Sequence, residues 1–359
     1  MASQRQVSTK HLYTKLTKQF EESVEIPLDK HERWVIFSDL HMGDGGSTDD
    51  FKRNSSLFTN AISGYYKPQS YGLILNGDVE ELQRFKIHKI VKKWRAVYDL
   101  FDHFHENDAL YKTIGNHDLE LQLMKELPFS YPHYESIKLR HKDDHLFVFH
   151  GHQASKKYQQ HNELIGFTLK YFANPLGIKS YSVSHSSKKQ YKIEKRAYGF
   201  SSFNKIVSVI GHTHRPLFES LHKVERLKFK IEQLCREYDS SSEEERKNIK
   251  IAIKSHKKEL KRHFRENKHE NFQNSVYNTL FHIPCVFNSG CVVGKRGMTC
   301  LEIEDGMIRL VHWFDMNISE KYLTQSGYEP QKLENTDFYR LVINEESLNY
   351  IFTRIKFLS

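Results

Sequence analysis

Five times in this chain a short apolar run stops at residues that can hold a metal ion or move a proton. Trp34-Val35-Ile36-Phe37 runs into Asp39 and His41, and Leu73-Ile74-Leu75 into Asn76-Gly77-Asp78. Leu110 to Ile114 leads to Gly115-Asn116-His117-Asp118, and Leu146 to Phe149 leads to His150-Gly151-His152. Ile206 to Ile210 ends in Gly211-His212-Thr213-His214-Arg215-Pro216. Runs of this length bounded by glycine and polar residues read as buried strands. In open α/β sheets, sites form at the carboxyl ends of strands. A lone histidine is ordinarily structural, and Asp or Asn after a strand often caps a helix. Five such endings together are hard to obtain from packing alone.

The strand-end residues form one donor set. Asp39, Asp78 and Asn116 offer oxygen, and His41, His150, His212 and His214 offer nitrogen. Mixed oxygen and imidazole donors suit borderline divalent ions, with Mn first and Fe or Zn as alternatives. Two ions roughly 4 Å apart need a bridging carboxylate. Asp78, alone on its strand end, is the natural bridge. One ion takes Asp39, His41, Asp78 and His214, and the other Asp78, Asn116, His150 and His212. His117 is left over as a proton donor to a leaving oxygen, with Asp118 placed to orient its imidazole. Arg215 is a candidate fork for a substrate phosphate, with a surface ion pair as the alternative. His152 is a candidate for substrate contact, equally a lid contact or a ligand.

Around these strands the chain reads as α/β. Residues 1–30 are a polar lead-in with a helical turn around Leu12 to Phe20, and residues 31–315 form the main domain. Helical patterns run from Asp50 to Tyr66 and from Phe85 to Phe104, the latter with one apolar stripe. A first insertion, 154–200, reads as a mostly helical cap whose Phe167, Tyr171 and Phe172 line a pocket or pack on the body. A second, 222–273, is highly charged and reads as two antiparallel helices, Val224–Tyr238 and Glu243–Glu270. The turn between them has a serine cap and an acidic first turn. Cys285-Val286-Phe287 and Thr299 to Ile303 read as strands, and Asp305-Gly306 closes a hairpin onto Ile308 to Trp313. Residues 316–359 read as a tail, helical over Glu345–Phe357.

The net charge of +9 favours anionic partners: phosphate esters, nucleic acid or an acidic membrane surface. The four cysteines form no Cys-x-x-Cys pair and read as reduced thiols. Neither a signal peptide nor an apolar membrane span is legible. The expectation is a cytoplasmic protein, with peripheral contact to a membrane as an option.

Asp-x-His, Gly-Asp, Gly-Asn-His-Asp, a later His and Gly-His-x-His, in this order over residues 37–216, resemble the calcineurin-like metallophosphoesterase superfamily. That resemblance implies a four-layer α/β/β/α sandwich, two divalent metal ions held as above, and His117 as the catalytic residue. Gly-His-Thr-His-Arg-Pro and Phe-His-Gly-His resemble the UDP-2,3-diacylglucosamine diphosphatase branch. That branch often has Arg where this chain has His117, and Asp where it has His152. The charged insertion has no counterpart there. The implied function is cleavage of a phosphodiester or pyrophosphate by a metal-bridging hydroxide. Alternatives are a nuclease, a phosphomonoesterase or protein phosphatase, and a non-catalytic scaffold.

Overall fold

The computed structural model describes residues 2–155, 187–221, 223–266, 283–320, 323 and 328–359. In chain order the strands are β1 (Val24–Pro27), β2 (Arg33–Phe37), β3 (Gly72–Asn76), β4 (Leu110–Thr113), β5 (His133–Tyr134), β6 (Ser136–His141) and β7 (Asp144–Phe149). They continue with β8 (Val207–Ile210), β9 (Val286–Asn288), β10 (Met298–Glu304), β11 (Met307–Asp315), β12 (Gln331–Lys332) and β13 (Phe338–Ser347). The described α-helices are α1 (Ala2–Glu22), α2 (Ser55–Ala61), α3 (Ile87–Lys93), α4 (Arg95–Glu106), α5 (Ser187–Asn204), α6 (Lys223–Ser240), α7 (Glu243–Glu266) and α8 (Leu348–Leu358).

The strands make two mixed sheets, ordered β1-β6-β7-β8-β9 and β12-β13-β11-β10-β2-β3-β4-β5. Side chains alternate across a strand, and β2 shows what this does. Trp34 and Ile36 join one apolar cluster with Phe147, Val209 and Leu301. Val35 and Phe37 join another with Phe58, Tyr98 and Phe101 of the helices. The parallel part of the large sheet is thus buried on both faces, which is why β2, β3 and β4 read as apolar runs. β2, β3 and β4 run parallel, as do β7 and β8, so each group delivers its strand-end loops to one side.

The segment 85–104 is two helices rather than one. At Trp94 the backbone leaves the helical region (φ −104, ψ 31), and its indole N–H donates to Gly43 O at 2.9 Å. The apolar stripe survives the break, with Ile90, Val97, Tyr98 and Phe101 buried.

The segments read as lead-in and tail are structural. α1 buries Leu12 and Leu16 in the core, and β1 pairs in parallel with β6. β13 pairs along β11, with Arg340 forked onto the buried carboxylate of Glu302. The last helix begins at Leu348 rather than Glu345, because residues 345–347 still pair with β11. Of the cap, residues 156–186, including Phe167, Tyr171 and Phe172, lie outside the described residues.

The charged insertion does form two helices, α6 and α7, packed on each other. Ser242 N donates to Glu245 Oε2 at 2.8 Å while Glu245 N reaches back to Ser242 Oγ. This is a capping box, and it starts α7 where the serine and acidic cluster lead one to expect.

Candidate metal centre

The strand-end loops are tied to one another through their backbones. Asp39 N donates to Gly77 O at 3.1 Å, His41 N to Asp78 O at 2.9 Å, and Gly211 N to His150 O at 2.8 Å. The side chains add further ties: His117 N donates to Asp78 Oδ1 at 2.8 Å, and His212 N to Asp39 Oδ2 at 2.9 Å. Such closeness leaves no room at Gly115, where an added Cβ would strike the Asp78 carboxylate. Asp39, His41, Asp78, His212 and His214 all have positive φ (55, 48, 52, 63 and 55°). Non-glycine residues hold this conformation only where the surroundings over-determine it, and such strain gathers at functional sites.

Three overlapping groups result, each with ligand atoms within 4.8 Å of one another: Asp39, His41 and His214; His41, Asp78 and His117; and Asp78, His150 and His212. Asp78 belongs to two of them, as its role as a bridge requires. Asn116 follows Gly115 at the end of β4, and its buried Oδ1 has no hydrogen-bond partner among the described residues.

The donor geometry tests whether cations fit. His150 Nδ1 lies 2.8 Å from Asn76 O, an acceptor, so this nitrogen carries the hydrogen. In the neutral ring its Nε2 is then a lone pair, set 3.0 Å from Asp78 Oδ2. His41 is arranged alike: Nδ1 faces Glu81 Oε2 at 3.0 Å, and Nε2 faces His214 Nε2 at 3.0 Å. The His150 lone pair and the carboxylate oxygen set against it need a positive charge between them, and the two facing imidazole nitrogens of His41 and His214 are joined either by a hydrogen on one ring or by a shared ion. Ligands ~2.1 Å from an octahedral ion are ~3.0 Å apart along the cis edge. Neighbouring donors here therefore stand at the spacing of atoms that share a metal.

With protons as the only cations, the same field spreads the acid constants apart. Burial opposes charge on His214 and His150, yet Asp39 overcomes it at His214 and raises it to about 10. Asp78 and Asp39 do the same at His150, raising it to about 9. Burial and the cationic His150 depress His212 to about 3. Burial also disfavours charge on Asp39, but the fields of His214 and His150 outweigh it and hold that carboxyl below its usual range.

Asp118 does not orient His117. Its carboxylate is committed to the backbone, accepting from Val79 N at 2.8 Å and Gly115 N at 2.5 Å. Burial and the neighbouring Asp78 charge raise it to about 7. Glu81 takes the orienting place, with Oε1 2.8 Å from His117 Nδ1 and Oε2 on His41. The adjacent Glu80 faces elsewhere, to buried Lys112 at 2.6 Å and Tyr98 Oη at 2.9 Å.

Arg215 is not a free fork. It pairs with Glu194 of α5, which is only 1% exposed and also accepts from Thr213 Oγ1 at 2.9 Å. Gln190, one turn earlier on α5, donates to Thr213 O at 2.8 Å. α5 thus grips the loop that carries His212 and His214. His152 is buried against the rings of His150 and His212, with centroids 5.5 and 6.2 Å away, and belongs to none of the three ligand groups.

No protein-family model matches the chain, and no curated protein matches it. Among solved structures, one that is similar is a conserved uncharacterised protein of Streptococcus pneumoniae, titled a predicted phosphoesterase. It is 11% identical, covers 78% of this chain and 87% of its own, and superposes with a TM-score of 0.30. A likeness that distant carries over neither activity nor residue roles.

Proposed function

We propose that this chain is a dinuclear-metal phosphohydrolase that cleaves a phosphodiester or pyrophosphate, in a four-layer α/β/β/α frame. The observation that carries the reading is the overlap of three ligand groups on Asp78 and His41, with the Nε2 of His150 facing the Asp78 carboxylate. Asp39, His41, Asp78 and His214 would hold one divalent ion; Asp78, Asn116, His150 and His212 would hold the other. Manganese fits this donor set, and iron or zinc fits it as well. Bound there, such ions supply charge stabilisation for a phosphoryl group and acidify water.

The protein's own groups do the rest. The positive-φ loops fix the donors before substrate arrives, so little reorganisation remains for the reaction. Glu81 anchors Nδ1 of His117 and leaves Nε2 as the nitrogen that delivers a proton to the departing oxygen. α5 braces the loop of His212 and His214 through Gln190 and Glu194. Arg215, engaged by Glu194, holds the loop rather than the phosphate.

The test is metal content by elemental analysis together with hydrolysis of bis(p-nitrophenyl) phosphate and p-nitrophenyl phosphate. Two metal ions per chain, with the diester preferred, is the expected result. A preparation loaded with Mn, Fe or Zn that retains no metal overturns the reading. Cleavage of the monoester alone replaces it with a phosphomonoesterase.

A further inference from the structure

The two helices of the charged hairpin are unlike. α6 intersperses acids and bases, Glu225, Arg226, Lys228, Glu232 and Arg236 among them. That is the composition of a solvated helix stabilised by side-chain pairs. On α7, Lys247, Lys250, Lys254, Lys257, Lys258 and Lys261 are all exposed. At 100° per residue they fall within an arc of about 100°, opposite the side where His256 and Glu259 are buried. Between Lys247 and Lys261 the only acid is Glu259, which is 4% exposed and on the packed side. Among the described residues of the hairpin, Arg236 pairs with Glu232 and Arg262 with Glu259. The lysine face runs ~21 Å at 1.5 Å per residue.

Six like charges on one helix face repel one another and cost helix stability. A solubilising surface would mix in acids. We infer that this face docks the phosphodiester backbone of a polynucleotide, which presents a charge every ~3.4 Å along each strand and spans the stripe with about six phosphates. A helix that lies on a membrane buries its apolar side in lipid. Here Ile249, Ile253 and Leu260 are half-buried on the packed side, and among the described residues the exposed large apolar side chain of α7 is Ile251, 51% exposed. The hairpin follows the loop of His212 and His214 in the chain: α6 begins at Lys223, and Pro216 lines one cavity with Arg226 and Leu227. Docking stands by itself; only the use of the bound strand as substrate rests on the proposed phosphohydrolase.

The experiment is fluorescence anisotropy of the full chain with labelled 20-nucleotide DNA and RNA, single and double stranded, across roughly 50–200 mM salt. With four to six phosphates contacted, log K is expected to fall with log salt at a slope of about −3 to −5. The triple variant Lys250→Ala, Lys254→Ala, Lys257→Ala should make that slope about 2 units shallower and bind at least ~10-fold more weakly at the low-salt end. Alanine is a good helix former, so its circular dichroism should be unchanged, as should its hydrolysis of the small diester. A wild-type slope shallower than about −1, or a triple variant that binds like wild type, overturns the inference. So does binding to phosphatidylserine vesicles with none to polynucleotide. Salt-dependent binding without diester hydrolysis keeps the docking face and rejects the hydrolase reading, and the reverse pair of results does the opposite.

Discussion

Glu81 Oε1 lies 2.8 Å from His117 Nδ1, and the other oxygen of the same carboxylate reaches His41. One buried side chain therefore sets the tautomer of both a proposed ligand and the proposed proton donor. Partners of this kind typically change metal affinity or activity 10–100-fold when lost. Glu81→Gln, which replaces one acceptor with an amide donor, is expected to weaken metal binding about 10-fold or more in a chelator competition. It should also lower kcat. Unchanged affinity and unchanged kcat would show that the two histidines are held without it.

Metal removal is expected to lower thermal stability. The donors that face one another lose their shared cation, and ligand binding to the native state stabilises by RT ln(1 + [L]/Kd), about 2.7 kcal/mol at 100 times Kd. Differential scanning fluorimetry with and without chelator should show a clear drop in Tm that added Mn restores. Identical melting curves would mean the centre binds no ion under those conditions.

Arg215→Ala separates two roles. If Arg215 is the partner of buried Glu194, the variant leaves a buried carboxylate uncompensated and loses about 3 kcal/mol or more of stability. Burial already raises the Glu194 carboxyl, so the loss should deepen as pH rises. If Arg215 bound substrate instead, KM would rise with stability intact. Denaturant unfolding and a KM measurement on one preparation decide between them.

Glu219 is buried near the Glu346 charge, and both push its carboxyl up to about 7 from an ordinary 4.5, against Arg354. A raised folded-state value means the folded protein holds the proton more tightly. The resulting stability is fully present below pH 4.5 and is lost as pH rises through about 7. The loss is on the order of 3 kcal/mol. Glu219→Gln should flatten this part of the stability–pH curve and melt higher than wild type at alkaline pH. A parallel curve for the variant would assign the pH dependence to other groups.

Deleting residues 316–359 removes β12, β13 and α8, which bury Leu341, Leu348, Ile351, Phe352 and Ile355. Burial of each such side chain contributes roughly 1.5–3 kcal/mol. The shortened chain is expected to be aggregated or proteolysed on expression. A soluble, cooperatively melting product would show that this segment is dispensable.

The strand-end clusters were legible because their signal is local. Each is an apolar run followed within a few residues by donors, and the structure brings Asp39, His41, Asp78, His150, His212 and His214 into overlapping groups. β1 and β6 were not legible, since Val24–Pro27 at a sheet edge and Ser136–His141 beside it alternate polar and apolar residues and carry no strong run. β13 was hidden in the same way, its Asn344, Glu345 and Glu346 reading as helix or tail. Glu81 could not be told from Glu80 by spacing. The two are neighbours after Asp78, and only the turn of the backbone sends one to the histidines and the other to Lys112. The pairing of Arg215 with α5 depends on the path of a long insertion, which no local pattern specifies.

β2 carries Asp39 and His41 near the start of the chain, yet one of its two neighbours is β10, with Ile36 opposite Leu301. During synthesis, β2 stays an unpaired sheet edge on that side until residues 298–304 have been made. All the proposed ligands emerge before that point, but the strand that sets two of them is not yet fixed. If these residues hold the proposed ions, loading is expected late in the life of the nascent chain, and the long interval with an open edge is one in which a chaperone has something to protect.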